Sequence, residues 1–395
     1  MATTLTPRTK PQAGQFRPAP GRTASSSGGM KITKVETFLL SIPPQQRAIS
    51  DAQQKRVDAV EFIVVRLETH QGLIGWGFNW NYTKGTRAVK VMIDEVYAPV
   101  LVGRDPERRK ELCAELLLAT HFIGRVGVAL VGVSAIEIAL WDLHCKRLGL
   151  PLWKVLGPVR DRVKAYNTDG GWLSCSEKEL VADMERLVAR GFDLVKMKIG
   201  LPDPREDYAR VKAVRKAIGE DVGLAVDVNT CWDLNTAMYW GKKLEEFRLD
   251  WLEEPLHPFD VRGHARLAAA LTVPIAVGET IYTTEMFRNF LEQDAAEIVQ
   301  ADVTKLSGID EWLEVASLAA AYRVPVIPHT NVQQKIHVQL AAATRHVPMV
   351  EFCYESLAEI WKEPLRVAGG YYSLPTAPGV GCELDAAVLK KFRVA

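Results

Sequence analysis

The chain lacks an excess of charge of either sign. Its 49 Lys and Arg stand against 48 Asp and Glu, a formal net charge of +1. A nucleic-acid surface ordinarily shows as a basic excess, so no nucleic-acid partner is expected. Cysteine is scarce: six in 395 residues, at Cys113, Cys145, Cys175, Cys231, Cys353 and Cys382. No two form a C-x-x-C pair. That excludes a zinc or disulfide framework and leaves buried free thiols in a reducing, cytoplasmic setting as the expectation. No apolar run reaches the roughly 18 residues of a membrane span, so no membrane partner is expected. No Gly-rich phosphate fingerprint follows a β-like run, which weakens an open dinucleotide-binding sheet. The first 29 residues contain no acid. They are rich in Thr, Ser, Pro and Gly and carry Arg8, Lys10, Arg17 and Arg22. A transit peptide shares that bias, but Pro and Gly oppose an amphipathic helix. Residues 1–29 are therefore expected to be a disordered extension or cloning remnant, with folded sequence from Met30.

Apolar residues are abundant, at 48%. That is enough for a large core, and the length allows a barrel plus a smaller domain. Residues 30–155 read as a separate α+β unit. Lys31–Leu40 and Val60–Glu68 alternate apolar and polar residues as half-buried strands do, and Gly72–Gly77 carries turn residues. Helical stretches follow at Ala88–Leu101 and Val131–Leu148. The second is apolar round most of its circumference, which predicts burial between domains.

From Arg162 onward short β-like runs recur. They are Val163–Tyr166, Leu194–Lys198, Leu224–Asp227, Trp251–Glu253, Pro274–Gly278, Ile298–Asp302, Val324–Pro328 and Met349–Phe352. Amphipathic helical stretches separate most of them, as at Glu177–Arg190, Arg205–Ile218 and Asn235–Phe247. Eight such units predict an α/β fold: a (β/α)8 barrel over 156–355, with the capping domain completed by 356–395.

Nearly every run ends in an ionisable residue: Lys198, Asp227, Glu253, Glu279, Asp302, His329 and Glu351. In a parallel barrel all strand C-termini share one face, so these side chains converge. Lys196 and Lys198 are i and i+2 on one strand and point to the same side. Burial and like charge both lower a lysine's pKa, which suits a general base. Asp227, Glu253 and Glu279 would repel one another without a cation between them. An all-oxygen set favours Mg²⁺ over zinc. Asn229 faces the same side as Asp227 and can bond a substrate hydroxyl. Glu254 points elsewhere. Asp302 beside His329 fixes the imidazole tautomer and raises its basicity, as in a general acid/base dyad.

This constellation resembles the enolase superfamily, and its mandelate racemase subgroup in particular, from Met30 onward. The subgroup's K-x-K motif matches Lys196 and Lys198, its metal ligands match Asp227, Glu253 and Glu279, its dyad matches Asp302 and His329, and its late glutamate matches Glu351. IALWDLHCKRLGLPL, AYNTDGGW and GHARLAAALTVPIA resemble acid-sugar dehydratases, especially those acting on galactarate and talarate. DVTKLSGID departs from the family in having Ser307-Gly308 where a Gly pair is usual. The resemblance implies substrate contacts from the capping loops Ser41–Val57 and Asn79–Gly85. Arg47, Lys55 and Trp80 are candidates there, with Asn167 and Asn229 from the barrel. It also implies Mg²⁺, a small carboxylate substrate and a homo-oligomer, dimer to octamer.

The implied reaction removes the proton α to a carboxylate. Lys196 would stay protonated at the oxyanion, Lys198 and His329 would serve opposite faces, and Glu351, if protonated, would donate to the second carboxylate oxygen. Loss of the β-hydroxyl then gives a 2-keto-3-deoxy acid. The same residues also suit racemisation or epimerisation of an α-hydroxy acid. A catalytically silent binding protein is the alternative from another class.

Overall fold

The computed structural model describes residues 29–43, 50–53, 56–82, 84–353, 357 and 360–394. The extension 1–28, Arg47 and Lys55 lie outside them.

Three antiparallel strands open the chain in the order β1 (Ile32–Ile42), β2 (Val60–Thr69) and β3 (Ile74–Asn81). The third strand replaces the expected turn. The turn itself is shorter and closes where Gly72 N–H meets Thr69 O at 2.9 Å. Gly75 and Gly77 belong to β3, and their missing side chains let a helix lie directly on the strand. A Cβ on Gly77 would fall 2.1 Å from Ala135 O, and one on Gly75 2.4 Å from Ala139 O. Glycine here marks close backbone approach rather than reversal.

The chain then runs through α1 (Thr86–Val91), a π-helical turn (Met92–Tyr97) and α2 (Ala98–Leu101), so the predicted helix is present but locally underwound. After α3 (Arg109–Ala119) comes α4 (Val128–Leu148), which packs on β3. Among the described residues α4 alone is long and apolar enough to cross a membrane, but it is buried inside the protein. Its other side meets the barrel: Ser134 Oγ donates to Val303 O at 3.0 Å. That matches the burial expected from its all-round apolar surface.

The barrel strands follow β4 (Arg162–Asn167), β5 (Leu194–Lys198), β6 (Gly223–Asp227), β7 (Leu252–Glu253), β8 (Ile275–Val277) and β9 (Ile298–Val299) in parallel order, and β10 (Met349–Phe352) returns to pair β4. The seventh segment, 324–328, is not a full strand. A single bridge joins Val326 to Val299, and Val326 N–H reaches His346 O at 3.1 Å. Pro325 and Pro328 flank it, and proline cannot donate to a ladder. Helices α5 (Leu152–Leu156), α6 (Glu177–Ala189), α7 (Pro204–Ile218), α8 (Leu234–Leu244), α9 (Val261–Ala270), α10 (Thr284–Glu292), α11 (Ile309–Ala321) and α12 (Gln334–Ala343) surround the strands. Several start where sequence logic places them. Ser176 and Glu179 form a capping box, and Asp203, Asp233, Asp260 and Thr283 cap their helices by side-chain acceptance. The C-terminal segment closes on both units. Tyr371–Ser373 pairs β4, while Val394 N–H donates to Leu39 O at 2.8 Å.

None of the six cysteines is in a disulfide; four are buried, Cys113 is half-buried and Cys231 is exposed. The expectation of buried thiols therefore holds for four of them.

One contact between the two units is titratable. Glu137, inside α4, accepts the N–H groups of Ile309 at 2.7 Å and Asp310 at 2.9 Å, at the start of α11. Burial, with Asp310 nearby, pushes its carboxyl up to about 8 from 4.5. A folded value above the unfolded one means that this group's stability contribution is full below 4.5. It is lost as pH rises through 8. Glu137→Gln is expected to flatten the decline of melting temperature with pH across that window. An unchanged slope in thermal unfolding contradicts this.

Candidate active site

A single layer of apolar side chains fills the barrel below the site. It consists of Tyr166, Leu194, Ala225, Trp251, Ala276, Ile298, Ile327 and Met349. Strand side chains repeat every two residues on one face. Two residues further along each segment stand Thr168, Lys196, Asp227, Glu253, Gly278, Gln300, His329 and Glu351. Strand parity therefore lifts the chain from an apolar plug to a polar layer in one step.

Lys196 is enclosed at 1% exposure. Its ammonium donates to Glu253 Oε1 and Oε2 at 2.7 and 2.8 Å and lies 3.0 Å from Glu351 Oε1. Lys198 pairs with Asp227 Oδ2. Burial pulls both lysines down, but the surrounding carboxylates outweigh it and hold both well above the ordinary lysine value. This corrects the expectation of lowered values. The argument from burial and like charge left out the acids of neighbouring strands: Glu253 and Glu351 for Lys196, Asp227 and Glu279 for Lys198. A divalent cation among those acids would offset the same charge.

Asp227, Glu253 and Glu279 each offer an oxygen within 4.8 Å of the others. Oxygens on one Mg²⁺ at about 2.1 Å span at most about 4.2 Å, so a small side-chain adjustment accommodates the ion. The set is all carboxylate, and the hard-oxygen chemistry fits. Supporting groups hold the ligands. Trp251 Nε1 and Gln300 Nε2 donate to Glu253 Oε2 at 2.9 and 2.7 Å. Asn229 donates from its backbone to Asp227 Oδ1 at 2.8 Å and from its amide to Glu279 Oε1 at 3.3 Å. Its φ of 47° is one that asparagine tolerates well. Glu254 turns away as expected. It is buried, and its partner is the Thr280 hydroxyl.

Asp302 and His329 meet as predicted, Oδ2 to Nδ1 at 2.9 Å, and Nε2 lies 3.1 Å from Glu279. Burial opposes the imidazolium, but Glu279 and Asp302 prevail and raise His329 to about 9. Burial likewise opposes the Asp302 carboxylate, and the His329 bond brings it to about 2. Gln333 Nε2 at 2.7 Å and the Thr304 backbone and hydroxyl at 2.8 and 2.7 Å fix Asp302 further. Glu351 differs from expectation. Burial opposes its charge, but Lys196 and His329 outweigh that and hold it ionised, and its Oε2 accepts Thr330 N–H at 2.9 Å. An ionised Glu351 accepts hydrogen bonds and cannot donate one.

One cavity of about 170 Å³ joins these groups. Lys198, Asn229, Glu279, His329, Glu351 and Trp80 line it. Lys196, Asp227, Glu253 and Asp302 stand just behind. Asn167 does not line it: parity turns its side chain away, where Oδ1 accepts Asp169 N–H at 2.7 Å, and Thr168 takes the lining position. Sequence reasoning missed Gln300, Gln333, Tyr82 and Lys305. Gln300 was reachable by parity from Ile298, whereas Gln333 carried no local signal. Lys305 lines the cavity with its ammonium 4.7 Å from the centre of the Trp80 ring.

The C-terminal-domain family model described as enolase C-terminal domain-like matches residues 179–388. The model for the mandelate racemase / muconate lactonizing enzyme N-terminal domain matches 34–157. The chain is similar to L-talarate/galactarate dehydratase of Salmonella typhimurium, 35% identical over 371 residues, covering 92% of this chain and 91% of that protein. A crystal structure of that enzyme, liganded with Mg and L-lyxarohydroxamate, superposes with TM-score 0.88 at 32% identity and covers 97% of this chain and 98% of that one. A racemase from Streptomyces coelicolor with bound magnesium gives 0.87 at 32% identity, over 92% of this chain and 100% of that one.

Proposed function

Because the chain belongs to the enolase superfamily, in its mandelate racemase and muconate lactonizing group, we propose that it is a Mg²⁺-dependent acid-sugar dehydratase. It takes the proton α to a carboxylate and expels the β-hydroxyl to give a 2-keto-3-deoxy acid. The supporting observation is the meeting, in one cavity, of three carboxylates with a lysine pair and an Asp–His dyad. Asp227, Glu253 and Glu279 would hold the ion. When bound, Mg²⁺ supplies Lewis acidity to the substrate carboxylate. Lys196, kept charged by Glu253 and Glu351, hydrogen-bonds the developing oxyanion. Lys198, second in the ring of strands, and His329, after the seventh, approach the α-carbon from separate sides. One takes the α-proton and the other protonates the departing hydroxyl. Glu351 positions Lys196.

The test is a panel of mono- and diacid sugars with Mg²⁺ in D₂O, read for 2-keto acid. Keto-acid formation supports dehydration, and none across the panel contradicts it. Deuterium at the α-carbon without keto acid favours the second reading, racemisation or epimerisation, for which the two-sided placement of Lys198 and His329 speaks. The similarity to the Streptomyces racemase points the same way.

Lys305 favours a diacid. Among the described residues its ammonium has no carboxylate partner, and it reaches the cavity over Trp80. A distal carboxylate would complete it. Lys305→Met is expected to raise KM for diacids by about 10- to 100-fold, the worth of one charge-assisted hydrogen bond, and to spare monoacids. Equal effects on both substrate classes in steady-state kinetics contradict this assignment.

A further inference from the structure

A second cavity, of about 320 Å³, lies away from the catalytic one, between α4, α12 and the chain around 362–383. Asp142, Lys146, Lys335, Lys362, Gly381 and Glu383 are on its walls. With Glu363, also on the wall, three lysines face three acids, but among the described residues only two of the lysines are paired. Lys146 is bonded to Asp142 at 2.7 Å and to Ile74 O at 3.0 Å, with Glu383 at 3.6 Å. Glu383 also holds Lys362 at 3.0 Å. Asp142 further accepts the N–H groups of Trp76 and Val380 at 2.9 and 2.8 Å. Both inner carboxylates are thus engaged, and Glu363 stands at the exposed rim.

Lys335 is left over. It is 5% exposed, and its ammonium has no hydrogen-bond or ion-pair partner among the described residues. Buried charges in folded proteins are ordinarily paired, whereas this ammonium meets water only through the cavity. The fold makes room for this one. Gly381 has φ 84°, and a Cβ there would come 2.9 Å from Lys335 Cδ and 3.4 Å from Nζ. Burial also draws the Lys335 proton affinity below that of an ordinary lysine, against a smaller upward pull from Cys382 and Glu363 nearby.

We propose that this cavity is a binding site for a compact oxyanion, a carboxylate or a phosphate, with Lys335 as its principal cation. The site is separate from the reacting groups but close to them along the chain. Gln333, two residues before Lys335, is the side chain that holds Asp302 of the dyad.

The experiment uses the full-length Mg²⁺-loaded enzyme at constant ionic strength. Melting temperature is followed against sodium acetate and, separately, sodium phosphate, with chloride as the reference. At least one of the two is expected to raise it by several degrees in a saturable way, and the responding arm tells carboxylate from phosphate. Lys335→Met should lose that shift and be no less stable than the parent in chloride, since it removes an unpaired buried charge. Lys198→Ala, altered in the catalytic cavity, should keep the shift. Equal shifts in the parent and Lys335→Met overturn the proposal, as does no shift with either anion. If Lys335→Met does not fold, crystals of the parent soaked in arsenate decide. An anomalous peak beside Lys335 Nζ supports the site, and none at saturating arsenate overturns it.

Discussion

Lys198→Ala is expected to lower kcat for dehydration by about 10²- to 10⁴-fold, the range contributed by a positioned acid or base, and His329→Asn to do the same. In the proposed reaction each removes one of two proton-handling groups in a single turnover, so neither would stand in for the other. Both stand at the cavity. Lys198 ends β5 at the cavity wall beside Asp227, and His329 presents Nε2 to the cavity while Nδ1 is tied to Asp302. The double variant should be scarcely worse than either single one, because groups acting as a unit are not additive. Steady-state kinetics on purified variants, with melting temperatures to exclude unfolding, check this. Near-parental kcat in both single variants contradicts the two-sided arrangement.

Removing the metal is expected to have an effect at least as large. Chelation should abolish turnover, and Mg²⁺ should restore it. The three carboxylates lie wholly or partly out of water and within 4.8 Å of one another, an arrangement that repels itself unless cations stand between them. Lys196 and Lys198 compensate in part. A divalent ion bound there stabilises the folded state by mass action, about 2.7 kcal/mol at a hundredfold excess over its Kd. Melting temperature should therefore rise with Mg²⁺ in the parent protein, and this rise should vanish in Glu253→Gln. Glu253 is the informative choice because it belongs to the carboxylate cluster and also holds Lys196. Full activity in the presence of excess chelator contradicts the metal assignment.

Much of the site was legible because strand parity is a hard rule. Lys196 and Lys198, Asp227, Glu253, His329 and Glu351 all follow apolar runs whose inward face could be counted. The same counting places Thr168 and Gln300 inside and turns Asn167 away, so the Asn167 expectation failed for want of applying it. β3 was hidden because Gly75 and Gly77 read as turn residues. Only the presence of α4 on top of the strand explains them, and that is a tertiary fact. Protonation states were the least legible. Whether Glu351 is charged depends on Lys196, which lies on another strand and 155 residues away in sequence. The lysines' raised values likewise come from carboxylates on neighbouring strands. Lys305 sat in view within DVTKLSGID, but nothing local distinguished it from a solvated loop lysine until Trp80 appeared beneath it.

The central claim is that this site labilises the hydrogen α to a carboxylate. Its most direct test is proton NMR of the best acid-sugar substrate in D₂O with Mg²⁺ and the parent enzyme, with Lys198→Ala and His329→Asn alongside. Loss of the α-proton signal, dependent on Mg²⁺ and greatly slowed in both variants, is the predicted result. Product formation with the α-hydrogen retained from substrate would contradict it.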